Sequence, residues 1–334
     1  MKRAVLLFAL LALFSCARRE TTGSAPAETT PSPAAAKPFR VGLLTPGSIN
    51  DGGWNALAWE GVQGIKRELG AEISHQETKT PAEMTEGFRA FGRQGFDLAF
   101  GHGFEYQEPA RTAGEQYPNT IFITTSGSTI AKNVAPMRFQ IEEATYVLGV
   151  IAARESKTGK AGLVGGINVP SIASSFLAFK AGAHSVNPNF EVKEVYTGNF
   201  DDLGAAKLAT QSLVKAGVDF VFHQANEAGR GVFQACTEEK IRCFGANADQ
   251  SELAPDAIVA SAVVDVPSAY VETARIVKEG RFKPEIQHFG MKQGTVSIVW
   301  NEKLKPTISA QTIAEVDRII ADIKSGKVTP PAGF

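Results

Sequence analysis

The sequence predicts an α/β protein of two lobes, each a parallel sheet flanked by helices. Three observations predict it. Short apolar strands alternate with amphipathic helical segments, the pattern of parallel sheets wound by right-handed crossovers. The alternation begins again near residue 160, so a second lobe of similar build follows the first. Residues 39–334 are also numerous enough that a single core usually divides in two.

The elements follow in order. A strand over 40–45 leads to a helix over 53–69, where Trp54, Leu57, Ala58, Val62, Ile65 and Leu69 recur at helical spacing. Next come a strand over 71–76, a helix over 81–94, a strand over 97–101 and a helix over 106–116. Strands over 120–124 and 134–139 and a helix over 142–154 close the first round. The second round has strands over 160–164, 191–196, 220–223, 242–246 and 258–264, with helices over 171–186, 202–216 and 228–239 between them. Strands such as Leu98-Ala99-Phe100 and Phe220-Val221-Phe222 are apolar at every position, which suits sheets covered on both faces. The expected division is 39–138 plus 266–285 for the first lobe and 139–265 plus 286–334 for the second.

Ahead of this lies a different kind of sequence. Lys2 and Arg3 precede an apolar run over 4–14 and then Ser15-Cys16. A membrane-spanning helix needs about 20 apolar residues, so this shorter run reads as an export signal. Leu13-Phe14-Ser15-Cys16 resembles the lipobox of bacterial lipoproteins, which implies cleavage before Cys16 and lipidation of that residue. Residues 17–38 are rich in Thr, Ser, Pro and Ala; they cannot bury enough apolar surface to fold and read as a disordered tether. The expected location is extracytoplasmic, lipid-anchored to the cell membrane.

Composition excludes several classes. Net charge is −1 and no block of Lys or Arg suggests nucleic acid. The five histidines are scattered, without metal-ligand spacing, and neither metal nor cofactor is expected. Cys236 and Cys243 are open to two readings, a disulfide in an oxidising compartment or two buried thiols.

Ligands of wound sheets gather beyond the carboxyl ends of strands, and the loops there carry unusual chemistry. The first reads Asn50-Asp51-Gly52-Gly53-Trp54-Asn55. Its carboxylate and amides offer directional hydrogen bonds, and its indole offers a flat face to a ring. The plainer reading makes Asn50 or Asp51 a helix cap and Trp54 core. The loop after the third strand supplies Phe104 and Glu108; loops of the second half supply Asn168, then Gln224 and Asn226, then Asn247. Gly165-Gly166 lacks the spacing of a phosphate loop. No serine occupies a glycine-flanked elbow after a strand, and no histidine is placed for Ser126-Gly127-Ser128, so the chain does not read as a hydrolase.

Several motifs together resemble the basic membrane protein (BMP) family of substrate-binding lipoproteins of ABC importers. They are Asn50-Asp51-Gly52-Gly53-Trp54-Asn55 with Trp59-Glu60-Gly61, and Phe139 with Glu142-Glu143 and Tyr146. Further along come Gly165-Gly166-Ile167-Asn168-Val169-Pro170 with Phe176 and Gly182, Tyr196-Thr197-Gly198-Asn199-Phe200-Asp201-Asp202, and Gly245 with Asp249-Gln250. The resemblance implies a type I periplasmic-binding fold with a hinge of three crossovers between its lobes, a ligand at the hinge, closure on binding and an ABC permease as partner, and a monomeric protein is expected. It implies a purine nucleoside or nucleobase-like ligand. Asp51 and Asn55 match positions that help hold the ligand in nucleoside binders, and Phe104 falls near a loop that supplies an aromatic. Glu108 stands for a usual aspartate, Asn247 for an aspartate that holds ribose hydroxyls, and Val264 for a common lysine. These departures favour a purine-like ring and leave ribose open. A sugar or other small polar solute on the same fold, or a ligand-sensing receptor component, is the alternative.

Overall fold

The computed structural model describes residues 37–333; Cys16 and the tether over 17–36 lie outside the described residues. Two six-stranded sheets form the frame. The first has the order β11-β5-β4-β3-β1-β2 and is parallel throughout. Its strands are β1 (Arg40–Thr45), β2 (Glu72–Glu77), β3 (Leu98–Gly101), β4 (Ile121–Thr125), β5 (Val134–Phe139) and β11 (Gln287–Phe289). The second repeats that order as β12-β10-β9-β8-β6-β7. It contains β6 (Lys160–Gly165), β7 (Glu191–Tyr196), β8 (Phe220–Gln224), β9 (Arg242–Asn247), β10 (Ile258–Val264) and β12 (Val296–Trp300). Only β12 in that sheet runs antiparallel, against β10.

The central strands are buried because both faces are covered. All four residues of β3 and all five of β8 are inaccessible or nearly so. In the edge strands β2 and β7 every residue is at least partly exposed. Helices α1 (Trp54–Leu69), α2 (Pro81–Arg93), α3 (Gln107–Gln116) and α8 (Val266–Lys278) cover the first sheet, α1 packing along α8. Helices α4 (Glu142–Glu155), α5 (Pro170–Val186), α6 (Leu203–Lys215), α7 (Gly229–Glu239) and α9 (Ala310–Lys324) cover the second.

Local chemistry sets the ends of several helices. Helix α2 carries a full capping box between Thr80 and Glu83, which satisfies two otherwise orphan backbone donors. Asp202, Asp265 and Ser309 accept from the third residue beyond them at the starts of α6, α8 and α9. Helices α4 and α5 pack backbone to backbone. A Cβ at Gly182 would stand 1.9 Å from the Tyr146 carbonyl oxygen, and one at Gly149 2.0 Å from that of Phe179, so only glycine permits this crossing.

The chain crosses between the sheets three times: after β5, after β10 and between β11 and β12. Strand β11 pairs beside β5, so the boundary read at 285 falls just before the last strand of the first sheet. Beyond 264, β11 is only three residues long, while α8 and α9 are amphipathic helices that pack on α1 and α4, partners far away in sequence. The crossing segments are tied to one another. Gln140 donates its N–H to the Phe289 carbonyl at 2.8 Å, and Asp265 donates to that of Thr295 at 2.7 Å. The Glu143 carboxylate accepts from the Met291 N–H.

Cys236 and Cys243 are unpaired, fully buried thiols in the core between α7 and β9. Burial pushes the Cys243 thiol well up. No helix among the described residues is long and apolar enough to cross a membrane.

Candidate functional site

A cavity of about 400 Å³ opens between the two sheets at the carboxyl ends of their strands. Its first-lobe wall is built on Trp54, at the start of α1. Asp51 makes that start rigid: its Oδ1 accepts from the N–H groups of Gly53 and Ala56 at 2.9 and 3.0 Å, and its Oδ2 from Asn55 at 2.9 Å. The carboxylate is thus occupied in capping α1 and does not line the cavity.

The Trp54 indole stacks on His102, centroids 4.0 Å apart and planes inclined by 25°, and meets Phe139 edge-on at 6.0 Å. With one face covered by His102, Trp54 also lines the cavity. His102 is fully buried; its Nε2 is 2.8 Å from the Trp54 carbonyl oxygen and its Nδ1 is 2.7 Å from the Tyr270 hydroxyl. A carbonyl only accepts, so Nε2 carries the proton and Nδ1 accepts from Tyr270. Burial lowers the imidazole to about 3, which keeps the ring neutral. Tyr270 in turn stacks on Phe100 at 4.1 Å. A continuous run of ring contacts, stacked at both ends and edge-on between Tyr270 and His102, therefore leads from the core to the cavity wall. Phe104, Met84 and Pro46 extend this wall, and Glu105, Lys79 and Ser126 add polar groups.

The second-lobe wall is amide-rich. Gln224, Asn226 and Asn247 line it at the ends of β8 and β9, beside Ile167, Val169, Ile172, Phe200, Ser171 and Ser175. Behind the amides His223 is buried and neutral, lowered by burial to about 4. The Gln250 Oε1 accepts from the Ala246 N–H at 2.8 Å and lies 3.1 Å from His223 Nε2.

The hinge contributes Phe139, Ile141, Glu142 and Val264 to the cavity. Glu142 is 4% exposed, with Arg138 Nη2 at 3.7 Å. Burial pushes its carboxyl up to about 6, against the smaller downward pull of its own N–H and Arg138. Glu105 keeps surface open at the cavity wall, yet the surrounding protein also pushes its carboxyl upward.

Among the described residues, four that are not glycine have positive φ: Ser126 (63°), Asn226 (49°), Lys240 (56°) and Asn247 (67°). All but Lys240 line the cavity. This conformation disfavours side chains with a Cβ, and its concentration at a site is a mark of backbone held for a purpose.

The lobes also touch across the cleft. A Cβ at Gly52 would lie 3.1 Å from Arg230 Nη2, and one at Gly53 3.5 Å from Asn226 Oδ1. The positive φ of Gly52 (63°) gives a second reason for glycine there.

Of the residues singled out in the sequence, Trp54, Phe104, Gln224, Asn226 and Asn247 come together on the cavity. The others stand elsewhere. Asn50 is exposed, next to Ser48. Asn55 is buried behind the first loop, and neither amide atom has a partner among the described residues. Glu108 is on the outer surface, bonded to Arg111 at 2.9 Å. Asn168 points to solvent while its neighbours Ile167 and Val169 line the cavity. Phe176 is core, packed on Tyr196 and Phe222. Sequence reasoning missed cavity roles for Phe139, Glu142, Ser126 and Phe200. Phe139, Glu142 and Phe200 stand in the motifs that carry the family resemblance; for the first two, their place at or just after the end of β5, where the chain changes sheets, is the usable signal.

The chain matches the family described as "ABC transporter substrate-binding protein PnrA-like" over residues 39–331. It belongs to the Bmp family. It is 28% identical over 302 residues to a purine-binding protein of Brucella abortus, covering 90% of this chain and 85% of that one. It is 26% identical to the ABC transporter nucleoside-binding protein BmpA of Lactococcus lactis, covering 98% of this chain and 97% of the relative. Among solved structures, an ABC transporter solute-binding protein of Aeropyrum pernix superposes with a TM-score of 0.80 at 25% identity, over 88% of this chain and 94% of that one. This Bmp-family chain is therefore an extracytoplasmic substrate-binding protein of an ABC transporter, with the type I periplasmic-binding architecture, and not an enzyme.

Proposed function

We propose that this protein captures a purine nucleobase or purine nucleoside between its lobes and hands it to a membrane permease, tethered by a lipid on Cys16. The observation that carries the reading is the Trp54 indole, backed by buried, neutral His102 and facing a cavity of about 400 Å³. A flat ring laid on it buries apolar area, and base–aromatic stacking is worth roughly 1–3 kcal/mol. Gln224, Asn226 and Asn247 come from the opposite wall. Amides both donate and accept, as the edges of a heteroaromatic ring require. An analogue that leaves one of these groups buried and unpaired loses affinity. The names of the Brucella and Lactococcus relatives point to the same ligand class.

Closure follows from the same layout. The aromatic wall belongs to one lobe and the amides to the other, so a ligand that touches both favours the state in which the lobes meet. The test is calorimetry with purine bases, purine nucleosides and sugars on the purified protein. Saturable binding of a purine and none of sugars is the expected result; capture of sugars alone would defeat the reading. Lipid on Cys16 is checked by metabolic labelling with a palmitate analogue, which a Cys16→Ala chain should not incorporate.

A further inference from the structure

We propose that Glu142 is a specificity-determining residue, whose carboxylate selects ligands presenting two adjacent N–H donors, such as a ring N–H beside an exocyclic amine. The proposal rests on the purine reading above and deepens it.

Position is the first argument. Glu142 opens α4 where the chain crosses between lobes, three residues after Phe139, whose ring meets the Trp54 indole. A ring stacked on that indole therefore has an edge toward the hinge wall, where Glu142 lines the cavity.

Unfinished bonding is the second. At 4% exposure this carboxylate has lost most of its water. Its nearest cation, Arg138 Nη2, stands 3.7 Å from Oε1, beyond hydrogen-bond length. A buried carboxylate so weakly matched gains strongly from donors. Two parallel N–H groups suit its two oxygens as a guanidinium does, whereas a ring edge that presents a carbonyl opposes it.

Charge is the third. Among the described residues, Lys79 is the only Lys or Arg that lines the cavity, and it pairs with Glu77 at 3.1 Å with most of its side chain in solvent. Glu105 and Glu142 leave the cleft negative, which disfavours phosphorylated or anionic ligands. Beyond Arg138, the charged groups around Glu142 are Glu143 on its own helix and Glu105 and Lys79 across the cleft. A neighbouring hinge cavity that Glu142 also borders adds His288, Lys292 and Lys324.

Proton linkage gives an independent readout. Burial holds the empty-cleft carboxyl up to about 6. Donors favour its ionised form, so binding lowers it and releases a proton near that pH. Affinity should then rise as pH goes from about 5 to 7 and level off above. A ligand accepting a proton from Glu142 would show the opposite slope.

The experiment is titration calorimetry of the purified protein with guanosine, inosine, guanine and hypoxanthine, in two buffers of different ionisation enthalpy near pH 6. Guanosine and inosine differ only by the exocyclic amine. Guanosine should bind at least tenfold tighter than inosine, and guanine than hypoxanthine, with net proton release. In Glu142→Gln, nearly the same in size, the preference should collapse below threefold and the proton release vanish. Purine binding with a preference below threefold in the unaltered protein overturns the proposal, even if the variant fails to fold. An unchanged preference in a folded variant also overturns it. Absence of heat with all four probes instead overturns the parent reading, and this proposal with it.

Discussion

The two walls of the cleft each rest on a buried histidine, and the two histidines do different things. His102 lies at the end of β3 and His223 near the end of β8, strands that occupy the same place in the order of their sheets. Both are neutral in the folded protein, and in both the partners call for a proton on Nε2. In the first lobe the imidazole is itself a platform: it stacks under Trp54 and is pinned by Tyr270. In the second it bonds Gln250, which closes the loop carrying Asn247. One architecture thus uses the same buried group to stiffen a ring in one lobe and to shape a polar loop in the other. Repetition of a fold repeats the place for a support; the chemistry supported is set locally.

The comparison can be broken or sharpened by experiment. The largest effect is expected at Trp54. Trp54→Ala should weaken purine binding by about 5- to 150-fold, the equivalent of roughly 1–3 kcal/mol of stacking; unchanged calorimetric affinity would remove the platform. His102→Phe and His223→Phe should each cost on the order of 1–3 kcal/mol of stability through partners left unpaired, read by urea denaturation. The two should differ in fluorescence: only His102→Phe should shift the Trp54 emission, because only His102 touches that ring.

Acid dependence probes the same pair. Unfolded histidine takes a proton near 6.5, while these two hold out to about 3 and about 4. The unfolded state therefore binds more protons between those values, and stability is lost as pH falls below about 6.5, by roughly 1.4 kcal/mol per pH unit for each histidine. Glu142 contributes the opposite slope, because its raised carboxyl binds protons more readily when folded. The decisive quantity is thus the difference between chains: either Phe variant should show a shallower acid slope than the unaltered protein. Equal slopes would mean the rings are not buried neutral.

The smallest effect concerns Asn247, whose φ is 67°. Asn247→Gly removes the strain of a Cβ in that region, so stability should rise by a few tenths of a kcal/mol or stay level. Loss of the amide should weaken binding by up to about tenfold, the worth of one hydrogen bond. A stable variant with full affinity would show that the amide does not read the ligand.

Much of this was legible in the sequence, and the limits have physical causes. The loops after β3, β8 and β9 were found because a wound sheet presents its strand ends to a ligand; Phe104, Gln224, Asn226 and Asn247 lie there and line the cavity. Asp51 was legible as either ligand group or helix cap, and its three backbone bonds make it a cap. Asn168 and Ile167 were not separable, because one residue of loop rotation exchanges cavity for solvent. Phe176 lies on the face of α5 that packs against the second sheet, on Tyr196 and Phe222, and an aromatic at helical spacing reads the same whether it faces a sheet or a ligand.

Periodicity and strand-end chemistry alone determined the wound α/β lobes and the loops that carry polar and aromatic groups, while the quoted motifs supplied the family resemblance. These are local properties, written in residues a few positions apart. Only the tertiary structure decided that Glu142 joins the cavity wall, that Tyr270, 168 positions away, pins the His102 ring on which Trp54 stacks, and that Glu108 turns outward. Such choices depend on how the two sheets are crossed three times and on which buried groups meet there. That meeting is an outcome of packing, and no short stretch of chain encodes it.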